Sequence, residues 1–138
     1  MSAAVDESIR AFLDGSPHAV VGASRERHKY GNKVLRSFLQ NELPVFAVNP
    51  RASEVEGQPC YPDLRSLPEP VHGISVITPA GVTLRVIEEA AAVGIRHVWL
   101  QPGAENAEVL ERAHELDLDL IAAGPCILVV LGYRELSG

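Results

Sequence analysis

Residues 19–31 read AVVGASRERHKYG, and their order decides the fold. An apolar run stops at Gly22, a polar and basic loop follows, and helical spacing begins near Gly31 and Asn32. In an open α/β sheet, such a strand–turn–helix unit sets backbone N–H groups and a helix N-terminus beside whatever docks there. The loop carries Arg25, Arg27, His28 and Lys29, inside a chain of formal net charge −6. A positive loop on an acidic protein points to a small molecule bearing phosphate.

Working outward from this unit, strand and helix signals alternate. Val5, Ile9, Phe12 and Leu13 recur at helical spacing and predict an amphipathic helix within residues 1–15, ended by Gly15-Ser16-Pro17. Strands are expected at His18–Gly22, Pro44–Asn49, Val71–Thr78, Arg96–Leu100 and Leu118–Ala122. Helices are expected at Asn32–Asn41, Pro79–Val93 and Ala104–Leu116. In the second of these, Thr78 reads as the cap and Pro79 as the first helical position. The third turns Val109, Leu110, Ala113 and Leu116 inward. Five prolines between residues 50 and 70 leave room only for short pieces, such as a helical turn at Pro62–Leu67. The apolar start of the tail (residues 127–138) reads as a sheet-edge or partner-facing segment. The whole pattern gives an α/β fold: a single doubly wound parallel sheet of Rossmann type, about five strands with helices on both faces, filling residues 1–138 as one domain.

Composition excludes several classes. At 138 residues, 46% hydrophobic and 22% charged, the chain reads as an ordinary soluble globular protein. The acidic balance argues against nucleic acid as a partner. No apolar run approaches the roughly 20 residues that span a bilayer, and no secretory signal is evident. Cys60 and Cys126 fit no metal or redox spacing and read as reduced thiols in a cytoplasmic protein. Trp99 reads as core. His18, His72, His97 and His114 read as surface or partly packed side chains.

Ligands of such sheets bind beyond the carboxyl ends of the strands, so the residues just past each end matter most. These are Gly22-Ala23-Ser24, Asn49-Pro50-Arg51, Thr78-Pro79-Ala80 and Gln101-Pro102-Gly103. A nicotinamide dinucleotide is opposed by two observations. The G-x-G-x-x-G fingerprint is absent, and the second strand ends in Asn49-Pro50-Arg51 where an acid would bind ribose hydroxyls. Arg51 would attract a ribose phosphate, which leaves NADP or coenzyme A. Ser24 has no evident histidine base or orienting acid, and Glu88 and Glu89 fall on a helix. No catalytic residues and no metal ligands are therefore assigned, and a binding module is favoured over an enzyme.

The stretches VVGASRERHKYGNKVLRSFL, PVFAVNPRASEVEGQPCYPDLRSLPEPV, VITPA and GIRHVWLQPGAEN together resemble the small bacterial CoA-binding proteins. These are similar to the nucleotide-binding domain of the succinyl-CoA synthetase α chain. The resemblance covers roughly residues 15–130. It implies a CoA-binding Rossmann domain in which Gly22, Ala23, Ser24, Lys29 and Tyr30 contact the nucleotide and its phosphates. Asn49, Pro50 and Arg51 would sit at the adenosine, with Thr78 and Pro79 on the adenine side. Gln101 and Gly103 would face the pyrophosphate or pantetheine. Pro102 and Ala123-Gly124-Pro125 depart from the family pattern. Three functions compete: a carrier or sensor for CoA or acyl-CoA, an NADP-dependent oxidoreductase, and a subunit supplying a CoA site to a separate ligase. A homo-oligomer is also open.

Overall fold

Strand and helix alternate as the apolar periodicity requires. A computed structural model describes residues 3–122 and 126–135. Helix α1 (Ala3–Asp14) leads through strand β1 (His18–Val21) to α2 (Tyr30–Gln40) and β2 (Val45–Val48). A short pair follows, β3 (Glu54–Val55) and β4 (Gln58–Tyr61), then a single 3-10 turn at Leu64–Ser66. The remainder is β5 (Gly73–Val76), α3 (Ala80–Ala92), β6 (His97–Leu100), α4 (Ala107–Glu115), β7 (Asp119–Ile121) and α5 (Ile127–Val130).

The sheet has seven strands in the order β3-β4-β2-β1-β5-β6-β7. All pairings are parallel except β3 with β4. Alternate strand residues face opposite layers. Val20, Ala47, Trp99 and Ile121 pack with Phe12, Leu35, Phe38 and Ile127 on one face. Ala19, Val48, Ile74 and Val98 pack with Ile87, Ala90 and Val109 on the other. Both faces are covered, which is why the strands are apolar along their whole length. Chain order reverses at β1, whose neighbours are β2 and β5, and all three strands end level: Val21 is opposite Val48 and Val76. That junction is the switch point.

The count of about five strands is corrected to seven by the hairpin inside residues 50–70. Glu56 (φ 50°) and Gly57 (φ 77°) both take positive φ, the geometry of a two-residue turn that matches strand twist. Pro59 does not prevent β4: it pairs with Glu54 on the antiparallel side, while Cys60 and Tyr61 pair with β2. Four smaller readings also change. The 127–131 segment is the short helix α5 and a turn, packed on α2, not a sheet edge. Leu110 is 40% exposed. Pro79 itself is the α3 N-cap, and the Thr78 hydroxyl bonds Thr83 at 2.7 Å instead of capping. His18 is fully buried. The Ala123-Gly124-Pro125 departure lies outside the described residues. No helix among the described residues is long and apolar enough to cross a membrane.

Candidate functional site

A cavity of about 1140 Å³ opens beyond the carboxyl ends of β1, β2 and β5. Val21, Gly22, Val48 and Ile77 form its floor. Nine of the residues singled out from sequence line it: Gly22, Ser24, Lys29, Tyr30, Asn49, Pro50, Arg51, Thr78 and Pro79. Two walls were not foreseen. One is the outer face of α3, where Val82, Arg85, Val86 and Glu89 recur at helical spacing; the other is the Pro62–Arg65 segment. The signal for the first wall was present in the sequence, since Val82 and Val86, four residues apart, share one side of α3.

Two helices point their N-termini into this space. Helix α2 begins after Lys29 and α3 after Pro79; neither has a side-chain cap, and neither has an acid in its first turn. Three other starts among the described residues are satisfied. Asn106 caps α4, Asp63 caps the 3-10 turn, and the first N–H of α5 is taken by Gln101 Oε1 at 3.1 Å. The uncapped starts therefore coincide with the cavity. Free N–H groups and the positive ends of two helix dipoles favour an anion there.

Gly22 is required by close approach of the backbone. Its φ is +98°, and a Cβ would lie 2.0 Å from the Ile77 carbonyl oxygen. Gly31 plays the matching part on α2, where a Cβ would fall 2.0 Å from the Gly22 carbonyl. The two glycines let the turn after β1 nest between β5 and α2, the job that the missing fingerprint does elsewhere.

The loop cations are not all available. Lys29 pairs with Glu26 at 2.7 Å and Arg27 with Glu56 at 3.5 Å. The Lys29 ammonium holds the Glu26 carboxyl below its ordinary value, through a hydrogen bond first and its charge second. Arg51 and Arg85, both at the cavity, have no ion-pair partner among the described residues. At the far end Arg65 pairs with Glu89 at 3.6 Å, and Glu89 also accepts from the Leu64 N–H.

Three of the residues expected from sequence to contact the ligand lie outside the cavity lining. Ala23 is buried, and its carbonyl accepts from Asn49 Nδ2 at 2.7 Å. Gln101 is buried; it donates to the Ser75 hydroxyl at 3.1 Å and accepts from the α5 N–H and from Tyr30. Gly103 makes an exposed turn at φ +93°. Asn49 lines the cavity, but its amide is engaged within the protein: besides Ala23, it accepts from the Arg51 N–H at 2.8 Å. It shapes the Arg51 turn. Tyr30 touches the Cys126 thiol, and burial, reinforced by that thiol, pushes the phenol above its usual range.

Sequence and structure comparisons agree with this geometry. A family model described as "CoA binding domain" matches residues 17–132. The chain is 35% identical over 100 residues to acetate–CoA ligase [ADP-forming] I of Archaeoglobus fulgidus, covering 68% of this chain and 14% of the ligase. It is 24% identical over 138 residues to the α subunit of the ADP-forming acetate–CoA ligase II of Pyrococcus furiosus, covering 91% of this chain and 30% of the subunit. A solved structure, a conserved hypothetical protein from Pyrococcus furiosus, is similar at TM-score 0.77 and 38% identity, over 82% of this chain and 97% of that one. The chain thus spans less than a third of either ligase polypeptide.

Proposed function

The chain belongs to the family of CoA-binding domains, and from that premise we propose that residues 1–138 bind coenzyme A or an acyl-CoA in the cavity above β1 and β5. The observation that carries this reading is the pair of uncapped helix starts, α2 and α3, converging on one cavity. The diphosphate lies across them, near Gly22, Ser24 and Lys29. Arg51, unpaired among the described residues, takes the 3′-phosphate, and Pro50, Thr78 and Pro79 receive the adenosine. Ala23, Asn49 and Gln101 act at one remove, by holding the loop, the Arg51 turn and the start of α5.

The protein acts as a binding module, with chemistry supplied elsewhere. Similarity to an α subunit that covers most of this chain supports a ligase partner, and it favours that reading over an NADP-dependent reductase. Two free thiols, Cys60 and Cys126, fit a cytoplasmic setting. Native mass spectrometry of freshly purified protein tests the reading, because it reports retained ligand mass and subunit number together. Retained CoA supports it; a retained nicotinamide dinucleotide refutes it; and a copurifying larger subunit identifies the ligase arrangement.

A further inference from the structure

Arg36 is 5% exposed, in the middle of α2, where it is covered by the loop before α2 and the 133–135 segment. Burying a guanidinium brings a desolvation penalty that an apolar residue of similar length would avoid. Its bonds show what that burial secures. Nε donates to Asn32 Oδ1 at 2.6 Å, and Nη2 donates to the Arg27 carbonyl at 2.7 Å. Asn32, itself buried, passes the connection on by donating to the Ser24 carbonyl at 2.8 Å and to Glu56 at 3.0 Å. Both ends of the loop between β1 and α2 are thus held by backbone carbonyls that have no place in a helix or strand.

The third direction of the guanidinium faces outward. Nη1 lies 3.7 Å from Glu135, and the group sits over the Tyr133 ring, 5.4 Å from its centroid. The same C-terminal segment is tied to α2 again, where Gln40 exchanges two hydrogen bonds with the Arg134 backbone. The Tyr133 hydroxyl first, and after it the Arg36 charge, hold the Glu135 carboxyl below its ordinary value, with partial desolvation opposing them.

We propose that Arg36 is a positioning residue: it sets the 24–29 loop in its ligand-receiving shape and couples that loop to the C-terminal segment 133–135. The ligand part of this statement rests on the CoA reading above. A partner that moved the 133–135 segment would, through Arg36, loosen or tighten the phosphate end of the site.

The test uses the whole chain and the variants Arg36→Met, Arg36→Lys and Glu135→Gln, with two readouts taken well below each melting temperature. The first is the rate of trypsin nicking at Arg25, Arg27 and Lys29, mapped by mass without ligand; the second is calorimetric titration of CoA. Arg36→Met keeps the stem and loses the donors, so nicking in this loop should rise at least tenfold while other sites keep their rates. CoA should bind about tenfold more weakly or worse. Arg36→Lys should not rescue either readout, since one ammonium cannot serve both carbonyl-side bonds. Glu135→Gln should move both readouts in the same direction by a smaller factor. If Arg36→Met fails to fold, Asn32→Asp replaces it, keeping the Arg36 contact while losing the bond to the Ser24 carbonyl. Unchanged loop nicking, or nicking raised equally everywhere, overturns the proposal. Failure of the wild-type protein to bind CoA would overturn the CoA reading instead, and the nicking comparison would still decide the brace.

Discussion

Arg51 and Gly22 show what single residues decide here. Arg51 stands on a turn fixed by the Asn49 amide, beside the cavity and without a competing carboxylate among the described residues. Replacing it with alanine should weaken CoA about tenfold to a hundredfold, the loss of a charge-assisted phosphate contact of roughly 1.5–3 kcal/mol. Dephospho-CoA, lacking the 3′-phosphate, should be almost unaffected, and paired calorimetric titrations would check this. Equal losses would remove Arg51 from that role. Gly22 was legible as a strand-end residue, and the structure adds that the Ile77 carbonyl excludes a side chain there. Gly22→Ala should therefore destabilise the fold by about 3 kcal/mol or more, combining positive-φ strain with overpacking. Urea unfolding measures this, and a variant as stable as wild type would contradict the close approach. Arg36 was not legible, because a buried arginine and a solvated one look alike in sequence.

At the scale of elements, α1 lies on a histidine cluster at the amino ends of the strands. His18 Nε2 donates to the Phe12 carbonyl at 2.6 Å, and His72 Nε2 to the Ala11 carbonyl at 2.7 Å. His72 stacks on His97 at 4.4 Å, and His97 faces Asp119, which accepts from Ser8 of α1. Phe12 packs between His18 and Trp99. Burial first, then the neighbouring imidazoles, lowers the His18 pKa, while its bond to Phe12 opposes the shift. The folded state thus takes up a proton at His18 only at lower pH than the unfolded chain, which binds it near pH 6.5. Stability is full above that pH and falls as acid is added, with a slope approaching about 1.4 kcal/mol per pH unit for one proton. His18→Gln, which keeps a donor for Phe12, should flatten the dependence between pH 7 and 5.5 in urea unfolding. An unchanged slope would assign it elsewhere. Deleting the wedge, by Phe12→Ala, should cost about 3–5 kcal/mol in the same assay. Helices α1 to α4 were legible from periodicity, whereas α5, a single turn at Ile127–Val130, was not. The β3–β4 hairpin was not legible, because its turn is Glu56-Gly57 in place of the usual Asn-Gly, and Pro59 within it argued against a strand.

For the whole molecule, alternation of strand and helix pointed to the strand ends, and with them to seven cavity residues from three separate segments, while Lys29 and Tyr30 came from the family resemblance. What stayed hidden was closure by distant parts: the 62–65 wall and the C-terminal strap that reaches Arg36. Contacts of long sequence separation leave no local pattern, so they emerge only when the sheet is assembled. The molecule brings two uncapped helix starts and Arg51 to one crevice in a chain of net charge −6. On the proposed function, this crevice is built for coenzyme A. Calorimetric titration of the ligand-free protein with CoA, NADH and NADPH, under one buffer and one salt concentration, tests it most directly. The expected result is saturable one-site binding of CoA, tighter than that of either nicotinamide dinucleotide. NADH or NADPH binding as tightly as CoA, or more tightly, would contradict the account.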